Sequence, residues 1–219
     1  MRKITAIEAQ KRNPGRVNIY LDDQFAFGLS RIVAAWLSVG QVLSEEKIAA
    51  LQAEETREAA FQRACRFLGY RPRSEDEVRK NLEKHRVPPE TIAYTLGRLR
   101  ALGLLGDADF ARAWVENRST FRPRSKRALG MELRQKGIAR EVIQSVLEEV
   151  GDEEPLALQA AQKQARKLTH CNWPEFRQKL GAFLARRGFS YEVIAPVVRA
   201  VWETTRAQQV DETYDEELT

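Results

Sequence analysis

RPRSEDEVRKNLEKHRVPPETIAYTL, residues 71–96, decides the fold, because its pattern recurs twice further along the chain. Shifted by 51 residues, Arg71-Pro72-Arg73-Ser74 falls on an identical Arg122-Pro123-Arg124-Ser125. The same shift carries Val78 to Leu129, Leu82 to Leu133, Val87 to Ile138, Glu90 to Glu141, Ile92 to Ile143 and Leu96 to Leu147. A second shift carries Leu129 to Leu180, Leu133 to Leu184, Gly137 to Gly188, Glu141 to Glu192 and Ile143 to Ile194. One offset that holds twice without a gap marks an internal repeat.

Each repeat reads as three helices. Ser74 with Glu77 three residues on is a capping box, in which two orphan backbone donors are satisfied reciprocally. Val78 and Leu82, four apart, share an inward face. Pro88-Pro89-Glu90 opens the third helix, which buries Ile92, Leu96 and Leu99. In the second repeat Asp107 is expected to cap a helix carrying Phe110, Ala111, Trp114 and Val115. Gly137 and Gly188 end the second helices of repeats two and three in the left-handed conformation. Repeat one has Arg86 there, which predicts a different turn set by the paired prolines, since a left-handed arginine costs roughly 1 kcal/mol. Val87, Ile138 and Phe189 stand five residues before Ile92, Ile143 and Ile194, the spacing of a hydrophobic staple. Glu90, Glu141 and Glu192 suit the positive end of a helix dipole and read as structural acids. Ser190 caps the helix of Ile194, Val197, Val198 and Val201. Leu102, Leu104 and Leu105 are expected to fill the junction of repeats one and two, and Gly151-Asp152-Glu153-Glu154-Pro155 is a hinge or a loop into a helix.

Before the repeats, Val17, Ile19 and Leu21 alternate with polar neighbours, the period of a strand. Asn13-Pro14-Gly15 carries a turn signal, and Asp22-Asp23-Gln24 reverses the chain into Phe25–Leu29. A small antiparallel sheet of two or three strands follows. Ser30 caps a short helix through Trp36, and Trp36, Val39, Val42 and Leu43 anchor the sheet, which is too small to stand alone. Ser44 caps a further helix with a sparse stripe of Ile48, Leu51 and Ala59 among Glu45, Glu46, Glu54, Glu55 and Glu58; no break is visible before Ala60, Ala64, Phe67 and Leu68. The expected fold class is mainly α: tandem three-helix repeats in three units, an elongated array, preceded by a small antiparallel β-hairpin region. The expected organisation is an extension over 1–55, repeats over 56–106, 107–151 and 152–208, and a disordered acidic tail over 209–219.

The chain has 219 residues and a net charge of +5. Its last ten residues hold five acids and no base, so residues 1–209 carry +10. A basic body suits a polyanionic partner. Bases recur on and beside each second helix: Arg73, Arg79, Lys80 and Lys84; Arg124, Lys126, Arg127, Arg134 and Lys136; Arg177, Lys179, Arg186 and Arg187. Lined up by the repeat they would form a row of basic faces; the plainer reading is a solvated surface.

Leu99–Trp114 (LRALGLLGDADFARAW), Glu132–Ile138 (ELRQKGI) and Arg186–Tyr191 (RRGFSY) resemble the RecX regulatory proteins of bacterial recombination, over residues 56–207, and the N-terminal strands resemble the extension of longer members. That resemblance implies a non-enzymatic modulator that binds the RecA–single-stranded DNA filament and restrains it in DNA repair and recombination, without a cofactor. Beside it stands a tandem helix-turn-helix protein acting on nucleic acid directly. The acids at Glu90, Glu141 and Glu192, where such a unit reads bases, argue against it. Weak binding to free single- or double-stranded DNA through the basic row stays open.

Catalytic motifs are not evident. His85 and His170 have no nucleophile beside them, and with Cys65 and Cys171 they lack zinc-ligand spacing. No glycine-rich phosphate loop follows a strand. Trp114, Trp173, Phe110 and Phe183, and likewise Trp36 and Trp202, read as packing residues. Two distant cysteines, no long apolar run and no apolar leader predict a cytoplasmic monomer with no membrane partner.

Overall fold

The structure is a computed structural model that describes the backbone of residues 1–216 and the side chains of residues 1–206; residues 217–219, the end of the acidic stretch, lie outside it. The chain divides into two compact units, residues 1–105 and 106–219.

The first unit begins with β1 (Arg2–Gln10), β2 (Asn13–Leu21) and β3 (Gln24–Ser30), then α1 (Arg31–Ala34) and β4 (Val42–Leu43). The sheet is antiparallel, in the order β3-β2-β1-β4, one strand more than expected. β4 adds only two residues to the edge of β1, too short for a periodic signal. Asp22 and Asp23 both have positive φ, 51° and 63°, as the hairpin turn with the twist of the strands requires. The Asp22 carboxylate accepts from the Lys3 backbone N–H at 3.0 Å and from Arg2 Nε at 3.1 Å. These contacts, the backbone bond foremost, hold it below the usual carboxylate range. Asn13-Pro14-Gly15 is not the reversal, which lies at Lys11-Arg12. The triplet forms an irregularity inside β2, where pairing jumps from Ala9↔Val17 to Gln10↔Asn13, and Asn13 Oδ1 accepts from the Gly15 N–H. The turn chemistry is real, but it bends a strand.

Ser30 caps α1 through the Val33 N–H, and the helix stops at Ala34. Trp36 is 89% exposed, and Val39 and Val42 are exposed as well. Leu43 anchors the sheet as expected, and Val33, Ala34, Ile48 and Leu51 take the place of the other three, packed on Ile4, Val17, Ile19, Leu21 and Leu29. Ile48 and Leu51 belong to α2 (Glu45–Leu68), capped by Ser44. This single helix of 24 residues crosses the expected boundary at residue 55 and supplies Ala60, Phe61 and Ala64 to a second core with Val78, Leu82, Ile92, Leu96 and Leu99. The latter residues come from α3 (Glu75–Lys84) and α4 (Pro89–Ala101). Between the two cores Ala59 is exposed, whereas Glu55 and Glu58 are buried. Glu55 accepts from Arg16 Nη1 at 2.5 Å and from the Ser30 N–H at 2.6 Å, and Glu58 accepts from Arg98 Nη1 at 2.8 Å. Buried carboxylates are tolerated only when paired in this way.

Ser74 and Glu77 form the capping box. Arg86 is left-handed, φ 58°, against expectation. The Val87 N–H reaches the Leu82 carbonyl at 3.2 Å, as Ile138 reaches Leu133 at 3.1 Å and Phe189 reaches Leu184 at 3.3 Å. The three second helices end in one Schellman-type turn, because each must deliver a staple residue into its core. Of the three junction leucines only Leu105 is buried, within the first repeat's own core.

The second unit holds α5 (Asp107–Phe121), α6 (Lys126–Gln135) and α7 (Arg140–Glu148), then α8 (Glu153–Ala165), α9 (Trp173–Arg186) and α10 (Tyr191–Glu216). Gly106, not Asp107, is the cap of α5. Glu153 opens α8, so the acidic segment is a loop into a helix. α10 continues as far as Glu216, through most of the stretch expected to be a disordered tail. The fold is therefore three three-helix units behind a small antiparallel sheet. Leu82, Leu133 and Leu184 are all fully buried. Phe110 is buried, and Trp114, Trp173, Phe183 and Trp202 pack against the two cores of this unit.

Candidate functional site

The expected basic faces keep register only in part: Lys126 matches Arg177 and Lys136 matches Arg187 at the 51-residue offset. At the 51-residue offset Arg127 matches Asp76 and Gln178, and Arg134 matches Glu83 and Ala185. The second helices differ in kind. α3 has three acids in its first turn, while α6 has none and begins Lys126-Arg127.

In the first unit the expected second-helix bases are mostly occupied. Arg79 pairs with Glu75 at 3.0 Å and Lys80 with Asp76 at 2.7 Å, each one helical turn away. The hydrogen bond to Asp76 raises the Lys80 pKa. Arg73 stacks on the Phe67 ring at 4.0 Å, its Nε buried without a hydrogen-bond partner. Lys84 is exposed at the end of α3.

Four of the expected bases stand free in the second unit. Arg127, Arg134, Arg177 and Arg186 are exposed and make no ion pair among the described residues. Arg127 and Arg134 lie seven apart, two turns of α6, on one stripe. The rest serve the framework. Arg124 Nε lies 2.9 Å from Glu132 Oε1, an ion pair whose angle makes no hydrogen bond. Glu132 Oε2 also accepts from Trp114 Nε1 and Arg118 Nε, both at 2.8 Å. Lys136 sits over the Trp114 ring at 5.1 Å. Lys179 lies 4.0 Å from Glu175 and 3.5 Å from Cys171 Sγ. Of Lys126 only the backbone N–H is engaged among the described residues, donating to Glu153 Oε1 at 2.6 Å.

Arg187 joins two repeats. Its Nη1 donates to the Pro123 carbonyl at 3.3 Å, its own carbonyl accepts from the Ser125 N–H at 3.2 Å, and its guanidinium covers Phe183 at 4.9 Å. Burial, then the nearby charges of Arg124 and Arg122, lower its pKa. Beside it Gly188 has φ 93°, and a Cβ there would stand 2.5 Å from Ser125 Oγ and 2.8 Å from Ala128 Cβ. Sequence reasoning missed this junction and the Glu132 hub. Their only signal was an acid amid bases in Glu132–Ile138.

Burial raises the Cys65 pKa, which makes it a poor nucleophile. Among the described residues, no cluster of three His, Cys, Asp or Glu side chains could hold a metal ion, and no helix is long and apolar enough to cross a membrane.

Comparison with known proteins gives a consistent result. Residues 2–44 match the regulatory protein RecX N-terminal domain, and residues 60–99, 107–147 and 152–198 match the first, second and third three-helix domains of RecX. The regulatory protein RecX of Bacillus subtilis (strain 168) is 34% identical over 196 residues, 88% of this chain and 74% of that protein. That of Bacillus pumilus (strain SAFR-032) is 32% identical over 213 residues, 95% of this chain and 81% of that protein. A crystal structure of a regulatory protein RecX superposes with a TM-score of 0.69 at 31% identity, covering 88% of this chain and 97% of that one. RecX from Lactobacillus salivarius, at 21% identity and a TM-score of 0.60 over 68% of this chain and 97% of that one, shares the fold.

Proposed function

Since this chain belongs to the RecX family of regulatory proteins, we propose that it acts without catalysis, by binding a RecA-type recombinase filament on single-stranded DNA and restraining its growth or turnover. The observation that carries this reading is the set of exposed, unpaired arginines on α6 and α9, a cationic surface in the second unit that suits a nucleoprotein partner. The exposed acids Glu90, Glu141 and Glu192 in the first turns of α4, α7 and α10 favour it over groove reading by helix-turn-helix units, since they would repel phosphate.

The test is recombinase ATP hydrolysis on single-stranded DNA, titrated with this protein. Arg127→Glu/Arg134→Glu/Arg177→Glu/Arg186→Glu is expected to need about tenfold more protein for the same effect, equivalent to about 1.4 kcal/mol of binding. Arg79→Glu/Lys80→Glu on α3, where acids already neutralise the bases, is expected to change it less than about threefold, as rim charges do. Circular dichroism reports that both fold. A folded quadruple variant as potent as the unaltered protein removes the α6–α9 surface from the contact.

A further inference from the structure

A second cationic feature lies in the first unit. The end of the sheet, the middle of α2 and the turn between α3 and α4 enclose a cleft of about 770 Å³. Arg16, Arg31, Arg63, Arg66, His85 and Arg86 line it, with Glu55 and Glu58. The two carboxylates are already engaged, Glu55 by Arg16 and the Ser30 N–H, Glu58 by Arg98 and Gln62. Arg31, Arg63, Arg66 and Arg86 make no ion pair among the described residues. Four guanidiniums around one concavity repel one another unless an anion joins them.

Arg86 sharpens the point. Its backbone is left-handed where the equivalent turns use Gly137 and Gly188. Glycine is the unstrained choice for that conformation, and a strained non-glycine residue is a pointer to function. At Gly188 a side chain would strike Ser125 and Ala128; at Arg86 it lines the open cleft. Ile32 also lines this cleft, exposed, and Trp36 four residues on is almost wholly exposed. An exposed indole just beyond α1, whose Arg31 and Ile32 line the cleft, is the kind of ring on which bases stack in proteins that track phosphates. Duplex DNA offers no base faces for such stacking.

We propose that this cleft binds the phosphodiester backbone of single-stranded nucleic acid, with Arg63, Arg66 and Arg86 on phosphates and Trp36 as the stacking surface. It is a site separate from the α6–α9 surface, and binding to naked strand tests it without any recombinase, so its failure leaves the filament reading untouched. The experiment is fluorescence anisotropy of a short labelled oligothymidylate at low salt. It is run on the intact chain and on the chain carrying the four α6–α9 reversals, in which the remaining strand binding is the cleft's own.

In both backgrounds Arg63→Glu/Arg66→Glu is expected to weaken strand binding about tenfold or more. It should also flatten the dependence of log affinity on log salt by about 1.4, since two phosphates are no longer neutralised. Arg86→Gly is expected to weaken binding about threefold while the melting temperature holds or rises, which separates a weaker grip on the strand from a weaker fold. Trp36→Ala should cost affinity for the strand and leave affinity for a duplex unchanged. Strand affinity within about twofold for both arginine variants in both backgrounds overturns the proposal. Equal losses for strand and duplex overturn its single-stranded part. Displacement of the strand by inorganic triphosphate, or by a glutamate-rich peptide, at the strand's own concentration would reassign the cleft to free polyphosphate or to an acidic protein segment.

Discussion

Arg71-Pro72-Arg73-Ser74 and Arg122-Pro123-Arg124-Ser125 are the same four residues in two electrical settings. In the first, Ser74 caps α3 and the acids that complete the cap follow at once. Glu77 closes the capping box and pairs with Arg71 at 2.9 Å. In the second, Ser125 caps α6 in the same way, through the Ala128 N–H at 3.1 Å, but Lys126-Arg127 follows. The acid at that helix start comes from the next repeat, Glu153 on the Lys126 N–H, and the acid for Arg124 comes from Glu132, two turns down α6. The first motif takes its capping acid from its own helix, Glu77; the second has an acid of the next repeat, Glu153, at its helix start. That borrowing leaves the start of α6 basic and frees Arg127 for a partner.

The largest expected effect tests what the two regions share. Leu82→Ala and Leu133→Ala should each cost about 2–5 kcal/mol, as truncation of a fully buried leucine does. A loss below about 0.5 kcal/mol in a denaturant melt at either site would break the equivalence of the repeats. Next is the joint itself. Gly188→Ala should cost about 2–4 kcal/mol, from a left-handed alanine plus overpacking against Ser125 and Ala128. Gly137→Ala, which has the same kind of backbone at φ 77°, should cost only about 1 kcal/mol. Equal losses in thermal melts would mean that Gly188 is kept for its backbone alone.

Smaller is the acid supplied by the neighbouring repeat. Glu153→Ala should cost about 1–2 kcal/mol, the worth of a charge-assisted cap, and should speed hydrogen exchange at the Lys126 amide. Glu77→Ala should cost about 1 kcal/mol and act on the Ser74 amide. If Lys126 exchange is unchanged in Glu153→Ala, the acid of the next repeat does not hold the start of α6. Smallest is Arg71→Ala, which removes an exposed pair worth at most about 1 kcal/mol. A larger loss in a urea titration would show that Arg71 does more than pair with Glu77.

The repeats are legible in the sequence because buried positions recur at fixed spacing and only apolar residues fit them. Spacing alone names Leu82, Leu133 and Leu184 for that reason, together with the capping box at Ser74 and the staple residues. The N-terminal region is harder to read. Trp36, Val39 and Val42 are apolar, which argues for the interior, yet apolar residues also occupy surfaces, and a four-residue helix gives too little periodicity to tell the faces apart. Glu55 and Glu58 look like the solvated acids around them on α2, since nothing in the stripe itself reveals that Arg16 and Arg98 arrive from elements about 40 residues away. Composition reveals that the surface is basic but not which bases stay unpaired. Whether an arginine is free depends on which acids face it, and α3 answers differently from α6.

The three-helix unit, its repetition at 51 residues, the helix caps and the inward leucines can all be written down from the order of the residues. They rest on contacts within a few turns and on a burial pattern that repeats. The left-handed Arg86, the buried carboxylates of α2, the Arg187–Gly188 joint and the cleft beside the sheet emerge only in three dimensions. Each of these is a meeting of groups distant in sequence, and the free energy of a charge is fixed by its neighbours in space.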